Sequence, residues 1–467
     1  MEKKDENERG PAFVISPFFP STEFPVLVLS LSFVRLVVLR GGGQVFTMSC
    51  SEKRRRGGGQ VDFNDTPEEA EWRAKCVQWL EERADRREEA GAENLRGPFA
   101  AERDASGLMA SAKAWQAQKF DAGFAKISWE PEFGGCGGTP MQQVIFGQEE
   151  SKYKVQTDPF MIGLGMVAPT IRTCGTDAQR ERYLKKLVRG EEVWCQLFSE
   201  PGAGSDVASL STSAQRDGDE WLLSGQKVWT SGAQFSDFGE IICRTDPDAP
   251  KHRGITAFIV DMKAPGVTVQ PLRQMTGGAA FNEVFFDEVR VPDSNRLGDV
   301  NKGWTVAITT LMNERASIGS GGSMSGGLRP LIEYAKKTGK ATDPLVRQQL
   351  ADLHIRSRIM KYNGMRSLTS LSQGTVPGPE GSIGKLFGST LLTDIGALTM
   401  SLLGPEGTAE INDRFDWHLM MVGAPGMHLG GGTDEVMKNI IGERVLQLPG
   451  EPRVDKDVAW KDVPKGV

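Results

Sequence analysis

The sequence predicts an α+β protein in three consecutive parts: a helical domain, a small antiparallel β domain or barrel, and a second helical domain. Three observations carry this. Apolar residues recur at helical spacing from about residue 61 to 191 between Gly-rich breaks, short β-rich runs with turn residues fill 192–300, and helical periodicity returns after Gly303. At 467 residues the chain exceeds what one hydrophobic core usually supports, so several packed units are expected. The expected boundaries are an N-terminal extension at 1–60, domains at 61–191, 192–300 and 301–450, and a tail at 451–467.

Residues 1–60 read as an unstructured or misassigned extension, with Met48 as a candidate natural start. The apolar run from Val26 to Leu39 is interrupted by Arg35 and is shorter than the roughly 20 residues that span a bilayer. Glu2, Asp5, Glu6 and Glu8 argue against a transit peptide, so no stable membrane span is expected. Thr66-Pro67-Glu68-Glu69 then opens a helix, with Thr66 as cap and Glu69 completing a capping box. Trp72, Cys76, Trp79 and Leu80 form its apolar stripe. In the β region, Asp217-Gly218 and Ser224-Gly225 suit tight hairpins, and Ile255–Val260, Val267–Val269 and Val284–Phe286 read as strands. Gly319–Gly327 marks a bend after a helix, Asp343-Pro344 starts another, and further helices lie around Lys385–Leu403 and Thr433–Leu446.

Composition excludes several functions. A formal net charge of −6, from 55 basic and 61 acidic residues, gives nucleic acid no cationic face to bind. Six cysteines without a CxxC pair, and four histidines without HExxH spacing, point to a reducing compartment and no catalytic metal. No Gly-x-Gly-x-x-Gly follows a strand to open a βαβ unit, which disfavours a Rossmann cofactor domain.

The chemistry lies in two stretches. One is Trp194-Cys195-Gln196-Leu197-Phe198-Ser199-Glu200-Pro201-Gly202-Ala203-Gly204-Ser205-Asp206, and the other is Lys227-Val228-Trp229-Thr230-Ser231-Gly232. Gly202 and Gly204 let backbone amides approach a flat anionic cofactor, Ser199, Ser205 and Ser231 supply hydroxyls, and an indole such as Trp229 covers an aromatic ring. Together they resemble the acyl-CoA dehydrogenases, whose central domain carries Thr/Ser-Glu-Pro-x-Ala-Gly-Ser-Asp and then Lys-x-Trp-x-Thr/Ser. The resemblance covers about residues 61–450 and implies that family's fold, with a four-helix-bundle-like C-terminal domain. It also implies FAD. Ser199 and the backbone before it, at Phe198 and Gln196, would bind the flavin pyrimidine edge. Gly204 and Ser205 would reach the pyrophosphate or substrate, and Trp229, Thr230 and Ser231 would line the reactive nitrogen.

A second constellation, His428-Leu429-Gly430-Gly431-Gly432-Thr433-Asp434-Glu435, is a Gly-rich turn into a helix that Thr433 caps and whose amides suit a pyrophosphate. Asp434 and Glu435 could equally satisfy that helix dipole themselves. By resemblance, Thr433 and Glu435 sit over the flavin of a neighbouring subunit. Gly404, opening Gly404-Pro405-Glu406-Gly407, matches a family glycine stretch near the cofactor, although the glutamine preceding it in relatives is Ser401 in this chain. Many members place the catalytic glutamate at the position of Gly431, where this chain has no side chain.

A minority of the family, the isovaleryl-CoA dehydrogenase-like members, carries the base on the helix after the β domain, matching Glu314. Spacing supports Glu314 independently: Ala307, Leu311, Glu314 and Ile318 share one helix face, so the acid falls on an apolar stripe. Burial there would raise its pKa toward what abstraction of a carbon-bound proton needs, although a structural ion pair is the alternative. The resemblance implies α,β-dehydrogenation of an acyl-CoA to a trans-2-enoyl-CoA, as in fatty-acid β-oxidation. Glu314 would be the base, the amide of Gly431 would meet the thioester oxygen, and Ser205 and Arg315 would contact the substrate. Electron-transferring flavoprotein is the implied acceptor and a homodimer or homotetramer the implied assembly, in bacterial cytoplasm or a mitochondrial matrix. A flavin oxidase or monooxygenase on the same fold, or a flavin-binding scaffold without chemistry, are the alternatives.

Overall fold

The computed structural model describes residues 36–40, 44–48, 65–87, 105–319, 328–372, 378–408, 417–453 and 455–464. The chain divides into two compact units, Met1–Asn64 and Asp65–Val467. In the first, β1 (Leu36–Arg40) and β2 (Gln44–Met48) pair antiparallel. These strands lie within the stretch expected to be an unstructured or misassigned extension; Val37, Val38, Val45 and Phe46 favour extended backbone. The rest of 1–60 lies outside the described residues.

The second unit opens with α1 (Pro67–Glu81), held by the expected capping box: Thr66 Oγ1 accepts from Glu69 N, and Glu69 Oε2 accepts from Thr66 N. Its stripe buries Cys76 and Leu80 and packs Trp72 and Trp79 against Phe124 and Phe146. α2 (Ala105–Asp121), α3 (Pro140–Glu150), α4 (Ala168–Cys174) and α5 (Asp177–Arg189) complete the helical domain.

The β domain comprises β3 (Trp194–Leu197), β4 (Ser213–Asp217), β5 (Glu220–Ser231), β6 (Phe238–Arg244), β7 (Ile255–Asp261), β8 (Val267–Leu272), β9 (Phe281–Pro292) and β10 (Arg296–Leu297). Their order is β10-β7-β6-β4-β5-β9-β8, with β3 also on β6. The sheet is open and mixed, which corrects the antiparallel barrel: β3 runs parallel to β6, and β4 joins β6 in parallel through Ser213 and Arg244. Both strands lie along one edge of β6 because the chain leaves the sheet after Leu197 and returns at Ser213 in the same direction. The hairpin at Asp217-Gly218 forms between β4 and β5. Ser224-Gly225 is not a turn; β5 continues through it, and glycine is needed because a Cβ at Gly225 would fall 2.7 Å from Thr212 Cα. One sheet face packs Trp194, Ile242, Ala257 and Ile259 on the helices. The sheet curls around its other face, where Trp221 of β5 meets Phe258 of β7 at 5.3 Å.

The C-terminal part contains α6 (Gly303–Gly319), α7 (Leu328–Lys337), α8 (Pro344–Ser372), α9 (Gly381–Leu403), α10 (Trp417–Leu429) and α11 (Asp434–Ile440). α9 is the axis, with Leu391, Ile395, Leu398 and Leu402 packed on Leu331, Leu353 and Trp417, as the bundle reading expects. The segment Gly381–Thr408 is long and apolar enough to cross a membrane, but 56% of that window is buried by its neighbours. The Gly-rich bend after α6 lies, beyond Gly319, outside the described residues.

Candidate functional site

The excursion Phe198–Thr212, between β3 and β4, carries Ser199, Gly204 and Ser205. It is fixed by a buried ion pair that the sequence reading missed. Glu200 accepts from the amides of Ser211 at 2.6 Å and Thr212 at 2.9 Å, and from Lys227 Nζ at 2.8 Å. Lys227 is fully buried and also donates to the Phe198 carbonyl at 3.1 Å. Burial pushes Glu200 upward, but Lys227 and the donors outweigh it and hold the carboxyl below the ordinary range. Val228 N donates to the Ser199 carbonyl at 2.9 Å, so the two sequence motifs are laced together at their bases. The signal for the pair was a lysine and a glutamate, each inside a motif read only for its glycines and hydroxyls.

At the top of this cradle the backbone is strained. β5 bulges between Lys227 and Thr230, and Trp229 takes φ 60, in the left-handed region that tryptophan rarely adopts. Its indole is 60% exposed, edge-on to Phe281 at 5.9 Å. Thr230 beside it is buried, and its Oγ1 has no hydrogen-bond partner among the described residues. A Cβ at Gly202 or Gly204 would meet nothing within 4 Å, so internal packing does not demand glycine at either position. An exposed indole, an orphaned hydroxyl and open glycines together fit a flat polar ligand such as a flavin. Gln196 is half-buried on β3, and Phe198 is buried in the helix-facing core.

α6 links this domain to the bundle, packing on β6, β7 and α9. Val306, Ala307 and Thr310 are fully covered or nearly so, and Leu311 packs on the helix-facing core. Glu314 is half-buried rather than buried, because the stripe leaves the core toward the end of α6. Arg315 follows it on α6, with its side chain, like that of Ile318, outside the described set.

The turn at 430–433 packs on α9. Gly431 and Gly432 take φ 70 and 89, and Thr433 Oγ1 caps α11 by accepting from Val436 N at 3.3 Å. Asp434 is not aimed at a ligand: it accepts from Lys385 Nζ at 3.0 Å and Ser389 Oγ at 3.1 Å, and lies 2.6 Å from His428 Nδ1. Burial opposes ionisation of Asp434, but His428 and Lys385 outweigh it and lower its pKa. Lys385 is 1% exposed and also donates to the His428 carbonyl, so the whole turn is clamped to α9. Glu435 points outward. Gly404 ends α9 at φ 62, which by itself accounts for glycine there. The structure thus ties the excursion that carries Ser199, Gly204 and Ser205 to the stretch that carries Trp229, Thr230 and Ser231, with Gln196 on β3 and Phe198 just after it. It sets Glu314 on the linking helix and leaves Gly404, Gly431, Thr433 and Glu435 on the bundle.

Three family models match the chain in series: acyl-CoA dehydrogenase N-terminal domain over residues 67–191, middle domain over 195–289 and C-terminal domain over 301–446. Among characterised proteins it is similar to acyl-CoA dehydrogenase IpdE1 of Mycobacterium tuberculosis, 33% identical over 398 residues, spanning 82% of this chain and 98% of that protein. It is also similar to acyl-CoA dehydrogenase FadE34 of the same organism, 39% identical over 330 residues, which are 70% of this chain and 45% of that protein. Of solved structures, the Tcur3481-Tcur3483 steroid ACAD superposes with TM-score 0.71 at 26% identity, covering 84% of this chain and 100% of that one. The ChsE4-ChsE5 complex from Mycobacterium tuberculosis gives TM-score 0.68 at 32% identity, with the same coverage.

Proposed function

Because the chain belongs to the acyl-CoA dehydrogenase family of oxidoreductases, we propose that it binds FAD and converts an acyl-CoA thioester to its trans-2-enoyl product, with Glu314 as the α-proton base. The observation that carries this reading is the placement of Glu314, half-buried on α6, which packs on both the β domain and the bundle. Position 431 offers only a backbone amide. The Glu314 carboxylate accepts the α-proton. The N–H of Gly431 donates to the thioester carbonyl, where negative charge develops as that proton leaves. The hydroxyls of Ser199, Ser205, Thr230 and Ser231 orient the cofactor from the β domain, and the Trp229 indole shields it from water. When bound, the flavin supplies the acceptor for the β-hydrogen.

A cleft of about 380 Å³ beside the start of α6 supports a phosphate-bearing thioester. Arg253, Arg444, Arg453 and Lys456 outnumber Asp457 on its wall beside His252 and Trp304, an arrangement for the nucleotide end of CoA. The electron acceptor is an electron-transferring flavoprotein, and the assembly pairs this chain with a second copy or with a homologous chain, as the two-protein ChsE4-ChsE5 relative supports. A steroid-bearing acyl thioester is the first substrate to test, because the solved relative with TM-score 0.71 is a steroid ACAD.

The purified protein is expected to be yellow and to bleach anaerobically with the right acyl-CoA. Glu314→Gln should stay yellow and reduce at least about a hundredfold more slowly, the usual contribution of a positioned base. An unchanged rate removes Glu314 from this role, and oxygen uptake during turnover would favour the oxidase reading instead.

A further inference from the structure

The helix-facing side of the sheet holds a carboxyl group that neither motif contains. Glu240 sits mid-strand in β6, between Phe238 and Ile242, beside Gln196 of β3 and Ile259 of β7 in register. It is fully buried on a face otherwise made of Trp194, Ile242, Ala257 and Ile259. An apolar residue would be less costly there, since one carboxyl oxygen, Oε2, is buried with no partner. The other, Oε1, lies 2.7 Å from Thr310 Oγ1 of α6. Thr310 Oγ1 lies 2.9 Å from Thr170 Oγ1 of α4, and Thr170 donates to the Met166 carbonyl at 2.8 Å.

Each threonine has one hydroxyl proton to give. With the Thr170 proton given to Met166, the Thr170–Thr310 contact uses the Thr310 proton, in preference to the longer 3.2 Å contact with the Val306 carbonyl. When Glu240 is protonated it donates to the Thr310 oxygen and the run ends at the Met166 carbonyl; when it ionises, the Thr310 hydroxyl turns to donate to Glu240 Oε1. Burial pushes the Glu240 carboxyl up to about 8, only partly offset by Thr310, so that proton is held at neutral pH. The groups facing it are Thr170 and the Cys174 thiol from α4, Thr310 from α6, Gln196 from β3 and Ile259 from β7. No charged side chain contributes to its ionisation.

We propose that Glu240 is a positioning residue for the dehydrogenation: its hydrogen-bonded run through Thr310 and Thr170 seats α6 on the sheet one turn before Glu314, and so sets where the base stands relative to the cradle. This rests on Glu314 being the base. Thr310 and Glu314 are separated by four residues on α6, so they share a helix face and a shift at one is transmitted to the other.

The test is anaerobic flavin reduction by acyl-CoA, followed from pH 6 to 9.5 in the holoenzyme and in Glu240→Gln, Glu240→Leu, Thr310→Val and Glu314→Gln. The wild-type rate should decline above about pH 8, and Glu240→Gln, which keeps a neutral donor, should match the wild type at neutral pH and lack that decline. Glu240→Leu and Thr310→Val should lower kcat about tenfold with KM within about twofold, as for a slightly misplaced base. Wild-type rates in Glu240→Leu and Thr310→Val, or an alkaline decline retained in Glu240→Gln, overturn the role of Glu240. If Glu240→Leu fails to fold, Thr310→Val and the pH profile of Glu240→Gln decide alone. Glu314→Gln at the wild-type rate overturns the base assignment and this inference with it, whereas a slow Glu314→Gln beside an unimpaired Glu240→Leu overturns the inference only.

Discussion

At the scale of single residues, two buried carboxyl groups pull stability in opposite directions with pH. Glu200 is held ionised by Lys227, so its contribution is present above the unfolded carboxylate range and is lost as pH falls through its lowered folded value. Glu240 is held neutral: the folded state keeps a proton that the unfolded chain releases near 4.5, so stability falls as pH rises from there toward about 8. Urea unfolding across that window should therefore show a shallower fall with pH in Glu240→Gln than in the wild type. Lys227→Met leaves Glu200 buried without its cation and should cost about 3–5 kcal/mol, measured by the same denaturation. A loss under 1 kcal/mol would mean that water reaches Glu200.

At the scale of elements, β5 stores strain where the cofactor cradle lies. Trp229 holds a left-handed backbone while its indole gains little burial, so the fold without cofactor does not benefit from tryptophan there. Trp229→Gly should stabilise the flavin-free protein by about 1 kcal/mol and yet weaken flavin retention, read as the fraction of yellow protein surviving dialysis. The turn before α11 is the reverse case, because its clamp is internal. Asp434→Asn strands the buried Lys385 and should lower stability by about 3 kcal/mol, with the loss in thermal unfolding exceeding that of any change at exposed Glu435.

At the scale of the whole molecule, the cradle and the 430–435 turn lie on different domains, and large apolar side chains are exposed near both. Trp229 is 60% exposed, while Leu429, Leu446 and Leu448 are 67%, 63% and 56% exposed around the turn. These exposed side chains fit the proposed pairing with a second subunit. Sedimentation should give a mass at least twice that of the chain, and dilution that dissociates the assembly should release flavin in step. A monomer that retains its flavin would refute the shared site. The cationic cleft gives a separate test: Arg444→Glu should raise KM for a CoA thioester severalfold and leave KM for a short pantetheine-free thioester unchanged.

The sequence by itself determined the order of the three parts and the capped start of α1. Each of these is written in local spacing, in caps, alternation and turn residues, which a chain expresses wherever it folds. Only the tertiary structure decided that β3 and β4 return along one edge of β6, that the barrel is an open mixed sheet, and that Ser224-Gly225 is an irregular stretch within β5 against Thr212 rather than a turn. It likewise decided that Glu200 belongs to Lys227, that Asp434 belongs to Lys385, and that Glu240 is buried against Thr310. These pairs join residues 27 to 70 positions apart in the chain. The desolvation that gives a buried charge or proton its meaning exists only once such distant segments have closed around it.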